Sequence, residues 1–203
     1  MKANPFVSIS DLMAGVAAAV MLLLVVAVFQ SAIAQASNEV KKKQGIENAI
    51  AEIKKSLAEK TEGVIVSDSV ITLVDHSFER GSACLNEDVE AVLKNTVAPI
   101  LAKKLKEYPN ISIQIEGHSD AAKVGKISTN LQKTCALFDD NYSLSAGRAR
   151  EARKAVLNAV QDDPSISGRI AVVGFGPDRL ANSKNPMAAE NRRVEIRLIS
   201  RGI

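Results

Sequence analysis

Residues 111–120, which read ISIQIEGHSD, decide the fold of the larger part of this chain. Isoleucine alternates with polar residues through the first half of this stretch, which predicts a strand with one buried face. The strand lies between two helical patterns, one from about Asn86 to Tyr108 and one from Ser145 through Val160. Pro99 should kink the first helix. Helices that alternate with strands in this way predict an α+β domain, with the helices on one face of a mixed sheet.

Other apolar runs complete the predicted sheet. Two of them flank a Ser-Asp-Ser turn and should form a hairpin, and two more follow the second helix; they cover 64–66, 70–74, 170–173 and 194–199. Asn86 and Ser145 are the expected helix N-caps, since both residue types accept hydrogen bonds from free backbone N–H groups. The predicted architecture is an α/β sandwich of the βαβαβ type over residues 64–203.

The N-terminal end of the chain carries a second, separate signal. Leu12 to Phe29 is an uncharged apolar run of 18 residues, about the length that spans a bilayer as a helix. Asp11 directly precedes it. An ionisable group at such a depth costs about 2.5–3.5 kcal/mol, so it is rare unless it has a function. We expect Asp11 to bind a proton or a metal cation; the alternative is an interfacial helix cap.

The apolar run is expected to be a retained membrane anchor. The alternative is a cleaved signal peptide, for which Ala32–Ala34 would be a passable cleavage site. The predicted segments are a short cytoplasmic tail and channel mouth (1–11), a transmembrane helix (12–34), a helical linker (35–63) and a periplasmic domain (64–203). The Lys41–Lys43 run follows the apolar span, and basic residues close to a span favour the cytoplasmic side of the membrane. This conflicts with a periplasmic position for the domain that follows.

Two faces of the N-terminal helices are distinctive. Ala14, Gly15 and Ala18 share a face with Asp11, and small residues of this kind allow close packing of membrane helices. In the linker, apolar residues recur at spacings of four, three and four: Ile46, Ile50, Ile53 and Leu57. This seam is compatible with a short two-stranded coiled coil or with packing against the domain that follows.

Composition bears on several function classes. Five Phe, two Tyr and no Trp argue against base-stacking platforms, so no direct nucleic-acid partner is expected. There is no catalytic triad, nucleophile elbow or phosphate loop, and the chain is not expected to be an enzyme. Two histidines make no metal constellation, and His118 is expected to be structural. Cys84 and Cys135 form either one disulfide or two separate buried thiols.

Four motifs in order resemble the OmpA-like C-terminal domain. They are EGHSD at 116–120, NYSLSAGRA at 141–149, GFG at 174–176 and NRRVEI at 191–196. The resemblance covers about residues 64–200 and implies binding of the peptide stem of peptidoglycan. It assigns the main contacts to Asp120 and Arg148. Asn141 and Arg193 are secondary candidates, and the alternative for both is stabilisation of a turn or of a strand end. An Asp and an Arg suit the ammonium and the carboxylate of diaminopimelate, the Arg through a bidentate fork.

One departure from the family pattern lies within the predicted site. The segment between Asp120 and Arg148 is longer than in the family, and the extra residues fall around 121–140. Cys84 and Cys135 both follow strands whose C-terminal ends should lie together. A disulfide would therefore pin the inserted loop beside the ligand cleft, and the insertion reshapes or covers that cleft.

The anchor, the linker and the domain together resemble the MotB family of ion-driven stator subunits. That resemblance implies Asp11 as the ion carrier, a homodimer inside a pentameric polytopic MotA/ZorA-like partner, H⁺ or Na⁺ as the transported ion, and no cofactor. It also implies a single-pass protein of the bacterial inner membrane. The span and the short tail resemble the anti-phage ZorB subunit more than flagellar MotB. A passive peptidoglycan tether without ion transport is the alternative.

Overall fold

The chain forms two units in a computed structural model that describes residues 5–57, 62–158 and 163–200. The first unit extends to Lys41 and the second begins at Lys42. In the first unit the described residues belong to helix α1 (Pro5–Leu57), which is long and apolar enough to cross a membrane. Its large apolar side chains, such as Leu23 and Phe29, are exposed. The predicted span 12–34 therefore lies within one uninterrupted helix.

The second unit continues α1 and adds five strands and further helices. The strands are β1 (Val64–Ser67), β2 (Val70–Leu73), β3 (Ile111–His118), β4 (Ile170–Gly176) and β5 (Arg193–Ser200). The helices are α2 (Glu87–Val92), α3 (Ala98–Glu107), α4 (Leu131–Thr134), α5 (Asn141–Leu157) and α6 (Pro164–Ser167). Single turns of 3₁₀-helix cover Asp75–Ser77 and Ala189–Asn191. The predicted hairpin is confirmed as the antiparallel pair β1–β2.

The sheet has the strand order β1-β2-β5-β3-β4. The last strand in sequence, β5, lies between β2 and β3 and is antiparallel to both of them. Only β3 and β4 are adjacent and parallel. Since β2 and β3 are both antiparallel to β5, they run in the same direction, and their C-terminal ends lie at one edge of the sheet. That edge carries the candidate site.

One face of the sheet is apolar and packs against the helices. Ile113, Ile115 and Ile196 belong to the same buried cluster as residues of α1, α3 and α5. Ile50 and Ile53 of the linker seam are 3% and 0% exposed within this cluster. The seam thus packs against the domain of its own chain, which was one of the two interpretations of its spacing.

Three expectations about helix ends and kinks need correction or refinement. Pro99 was expected to kink the first helix, and the structure has a π-helical turn, Leu93–Val97, directly before α3, in whose first turn Pro99 lies. Asn86 occupies the N-cap position of α2 without accepting a side-chain cap bond, and its Nδ2 donates to the His76 carbonyl. The prediction that Ser145 caps the second long helix was wrong.

The cap of α5 is Asp140, whose side chain accepts from the Ser143 N–H at 2.7 Å in a capping box. Ser145 is buried instead, and its hydroxyl joins α5 to the end of β4 by accepting from the Gly176 N–H at 3.0 Å. The helix ends at Leu157, and the predicted end at Val160 lies outside the described residues.

Close backbone contact holds α5 against β3. A Cβ atom at Gly117 would lie 2.0 Å from the Ser145 carbonyl oxygen, so no larger residue fits there without a backbone shift. This contact fixes the first turns of α5, which carry Asn141 and Arg148, beside the C-terminal end of β3.

Candidate functional site

A charged cavity of about 1010 Å³ opens at the edge of the sheet where β2 and β3 end. Four lining residues form its centre, and we call them the cleft quartet: Asp75, Asp120, Arg148 and Arg192. They come from the 3₁₀ turn after β2, the segment after β3, helix α5 and the residue before β5. The fold therefore joins two carboxylates and two guanidinium groups that are far apart in sequence.

Arg192 links the two carboxylates of the quartet. Its Nε and Nη2 donate to Asp75 at 2.8 Å each, and its Nη1 donates to Asp120 Oδ2 at 2.6 Å. Burial by itself would raise the pKa of Asp75, but the hydrogen bonds and charge of Arg192 outweigh it and lower that pKa. Hydrogen bonding to Asp75 raises the pKa of Arg192. Both carboxylates of the quartet are thus held beside a cation.

Arg148 is different, because most of its hydrogen-bonding capacity is unused. Its side chain lies over the Phe78 ring, with 5.1 Å between Cζ and the ring centroid, and Nε donates to the Ser82 carbonyl at 3.0 Å. The residue is only 5% exposed. Neither Nη group donates a hydrogen bond to any residue in the described ranges. Burial lowers the pKa of Arg148, with the charge of Asp75 acting in the opposite direction.

Asn141 lines the cavity, but its side-chain amide forms hydrogen bonds with the backbone. Its Nδ2 donates to the carbonyl oxygens of Asp120 and Ala122, at 3.2 and 2.7 Å. The Asp120 carboxylate also accepts from the Ala122 N–H through Oδ1 at 3.2 Å. Asn141 therefore fixes the turn that presents Asp120.

Arg193, the other secondary candidate, does not line this cavity. It belongs to a second cluster on the other face of the sheet, which we call the sheet-face network: Glu116, His118, Arg193, Glu195 and Arg197. Its Nε donates to Glu195 Oε1 at 2.6 Å, and Arg197 donates to Glu195 and, at 3.1 Å, to Glu116. Successive residues of an extended chain point to opposite sides, so Arg192 and Arg193 separate.

His118 lies buried inside the sheet-face network at 1% exposure. Its ring stacks on Phe175 with 5.4 Å between centroids. Burial, followed by the positive charge of Arg193, lowers the pKa of His118 to about 4, so the imidazole is neutral at pH 7. This position agrees with a structural part for His118.

The sheet-face network also brings together three residues of types that ligate metals, which the sequence did not lead us to expect. Candidate ligand atoms of Glu116, His118 and Glu195 lie within 4.8 Å of one another. Both carboxylates already accept hydrogen bonds from arginines, however. The positive charge that lowers the pKa of His118 also opposes a cation, so the arrangement is best described as an ion-pair network.

A disulfide between Cys84 and Cys135 ties the inserted segment to the domain, with 5.1 Å between the Cα atoms. Beside it, the Ala83 N–H donates to the Thr134 carbonyl at 3.0 Å. The same stretch supplies the Ser82 carbonyl that holds Arg148. The insertion therefore supports one side of the cavity, and Lys123 and Lys126 from its first part line the opening.

Sequence reasoning missed two members of the cleft quartet, Asp75 and Arg192. The adjacent arginines of the NRRVEI motif were a usable signal, but choosing between them requires knowing which face of β5 each one meets. Asp75 follows β2, and only the insertion of β5 between β2 and β3 brings it beside Asp120.

Asp11 lies on α1 in the first unit and is exposed there. Ala14, Gly15 and Ala18 are exposed on the same helix. A Cβ atom built at Gly15 would have no heavy atom within 4 Å among the described residues. The small-residue face is therefore open to close approach by another helix.

The comparisons with known proteins agree with this architecture. The model of the OmpA family matches residues 77–193, more than half of the chain, and the chain belongs to that family. Outer membrane porin F of Pseudomonas aeruginosa is 30% identical over 132 residues, which are 64% of this chain and 32% of that protein. The truncated flagellar export/assembly protein LafU of Escherichia coli K12 is 29% identical over 124 residues, 61% of this chain and 50% of that one.

The chain thus spans half or less of the length of these curated relatives. Among solved structures, a MotB-like protein from Desulfovibrio vulgaris superposes with a TM-score of 0.55 at 21% identity, covering 82% of this chain and 99% of the other. At that identity the superposition shows a shared fold. The described domain is therefore an OmpA-like domain with the fold of a MotB-like protein.

Proposed function

We propose that this chain is the membrane-anchored B subunit of an ion-driven rotary motor. In this proposal the cleft quartet anchors the domain to peptidoglycan, and Asp11 carries the transported ion.

Arg148 is the observation that supports peptidoglycan binding. Arg148 is 5% exposed as a residue and lines the cavity, and both of its Nη groups are free of hydrogen bonds to the described residues, so they are available to a ligand that accepts from them. A carboxylate suits this bidentate fork. The carboxylates of Asp75 and Asp120 lie in the same cavity and suit an ammonium group. Diaminopimelate in the peptidoglycan stem carries both groups on one residue.

The motor part of the proposal rests on Asp11 and its helix. An acidic group at the start of an apolar run, on a face of small residues that is open to another helix, suits a site shared with a polytopic partner. We infer a homodimer within a pentameric MotA/ZorA-like ring. The ion is H⁺ or Na⁺, and residues of the partner would complete the site. The residues of the span favour a ZorB-like anti-phage motor, and the name of the relative LafU makes the flagellar class the second candidate.

This function places α1 across the bacterial inner membrane with the OmpA-like domain in the periplasm. The Cys84–Cys135 disulfide supports that side, because disulfides persist in oxidising compartments. Ion passage would release about 2.3 kcal/mol per charge for each 100 mV, which is available for rotation against a fixed anchor.

The first test is mass spectrometry of what co-purifies with the full-length chain from native membranes. A motor subunit should bring down a polytopic membrane protein in stoichiometric excess. Asp11→Asn should keep that partner and abolish ion-dependent function, whereas Asp68→Asn, an exposed acid of the domain turn, should change neither. Peptidoglycan fragments without a polytopic partner, together with full tolerance of Asp11→Asn, would instead identify a passive tether.

A further inference from the structure

The inserted segment changes the charge of the cavity. The cleft quartet is balanced, since it contains two carboxylates and two guanidinium groups. Four other charged residues line the opening, and they are unbalanced: Glu79, Arg80, Lys123 and Lys126. The cavity as a whole therefore has an excess of two positive charges, located at the rim and not in the centre.

The rim charges stand in solvent, unlike the quartet. Lys123 and Lys126 are both exposed, and both belong to the part of the insertion that precedes its docked end. That docked end is held by the Cys84–Cys135 disulfide and by the buried contacts of Ala136 and Phe138 with Ala83. The lysines are thus kept beside the cavity by the fold of the insertion, with their ammonium groups available to a ligand.

The ligand assigned by the proposed function leaves negative charge for this rim. The diaminopimelate ammonium and its free carboxylate match the quartet. An uncrosslinked stem peptide has two more carboxylates, one on the α-carbon of D-glutamate and one at its C-terminus. A ligand with one ammonium and three carboxylates has a net charge of −2, which complements the excess in the cavity.

We propose that Lys123 and Lys126 select stem peptides whose D-glutamate α-carboxylate is free over those in which it is amidated. This inference rests on the proposed peptidoglycan-binding function. Amidation removes one negative charge with little change in the size of the ligand, so a difference in affinity between the two forms reports on that charge. Each exposed contact has a modest effect, and two together should give about a fivefold to tenfold preference that weakens at high salt.

The test measures binding of the full-length chain in detergent to two muramyl tripeptides, one with free D-glutamate and one with the amidated residue. Wild type should prefer the free form by about fivefold to tenfold. Lys123→Gln with Lys126→Gln should abolish the preference by lowering affinity for the free form more than for the amidated form. A matched pair, Lys133→Gln with Lys184→Gln, removes the same charge from positions that do not line this cavity and should keep the preference.

The outcomes separate this inference from the function on which it rests. Equal, Arg148-dependent binding of both peptides by wild type would contradict selection by the lysines and leave peptidoglycan binding intact. A preference that disappears in the Lys133/Lys184 pair as well would show a general charge effect and also overturn it. Failure of wild type to bind either peptide would contradict the proposed function itself, and this inference with it.

Discussion

The cleft quartet and the sheet-face network both combine carboxylates with arginines, yet their charges are paired differently. In the network, Glu195 accepts from Arg193 and Arg197, and Glu116 accepts from Arg197. In the quartet, Arg192 serves both aspartates. Arg148 has no Nη hydrogen bond to a described residue.

Paired carboxylates and guanidinium groups stabilise a fold, whereas an arginine that lines a cavity and leaves both Nη groups unpaired is available to a ligand. The comparison teaches that burial and charge do not distinguish a binding site from a structural cluster. The hydrogen bonds that the arginines leave unmade do distinguish them, although in the network both ring nitrogens of His118 are buried without a hydrogen-bond partner among the described residues. Three predictions test this difference.

Arg148→Ala should have the largest effect. Truncating one side of a buried, hydrogen-bonded charge pair costs about 2–5 kcal/mol, so the Kd for a muramyl tripeptide should rise by about 30-fold or more. Titration calorimetry with the full-length chain measures it. Arg148→Lys keeps the positive charge but not the bidentate geometry, and it is the control for misfolding of the alanine variant. It should give a smaller loss of affinity. Arg193→Gln should leave the Kd unchanged; a comparable loss there would remove the distinction between the two clusters.

His118 should make stability depend on pH. The native state keeps this imidazole neutral down to about pH 4, whereas the unfolded chain binds a proton near pH 6.5. The contribution is therefore complete above pH 6.5 and is lost as the pH falls towards 4, by about 3 kcal/mol. Urea unfolding of the domain within the full-length chain measures it.

The control for this prediction uses the chain's only other histidine, His76. His118→Gln should flatten the profile between pH 4.5 and 6.5, and His76→Gln should not. Asp75 and Glu195, whose pKa values are lowered, lose their contributions only at more acidic pH. A flat wild-type profile in this window would show that His118 is not held neutral by its surroundings.

Asn141→Ala should have the smallest effect. It removes two hydrogen bonds that fix the Asp120 turn and leaves the charges of the quartet unchanged. The loss should weaken binding by about 1 kcal/mol, which corresponds to a roughly fivefold weaker affinity for the tripeptide. The matched change in the sheet-face network is Gln114→Ala, which removes the bond from Gln114 to Glu116 at 2.8 Å. It should leave affinity unaltered; equal losses from both variants would indicate a general effect on stability.

Much of the fold could be predicted from periodicity. The alternation in β3, the hairpin β1–β2 and the long apolar run of α1 were visible because burial repeats at the spacing of each element. The caps were less predictable. Ser145 was a plausible cap by type, but Asp140, five residues earlier, already caps the helix in a capping box with Ser143.

The site was predicted in part. Asp120 and Arg148 came from motifs, and the structure places them in one cavity together with Asn141. Arg193 was predicted as a binding residue from its motif alone. In the structure the neighbouring residue, Arg192, lines the cavity and Arg193 does not. Asp75 has no local signature, since it becomes a neighbour of Asp120 only through strand order.

By itself, the sequence determined an apolar helix preceded by Asp11, an α+β domain of the OmpA family and a pair of cysteines able to form a bridge. Those features are local, or they are motifs whose residues lie within a few positions of one another. Only the tertiary structure decided that β5 enters between β2 and β3, that Arg192 and Arg193 serve opposite faces, and that the linker seam packs on its own domain. These outcomes depend on contacts between residues far apart in the chain, such as Asp75 and Arg192, which are 117 positions apart, and no local periodicity records such contacts.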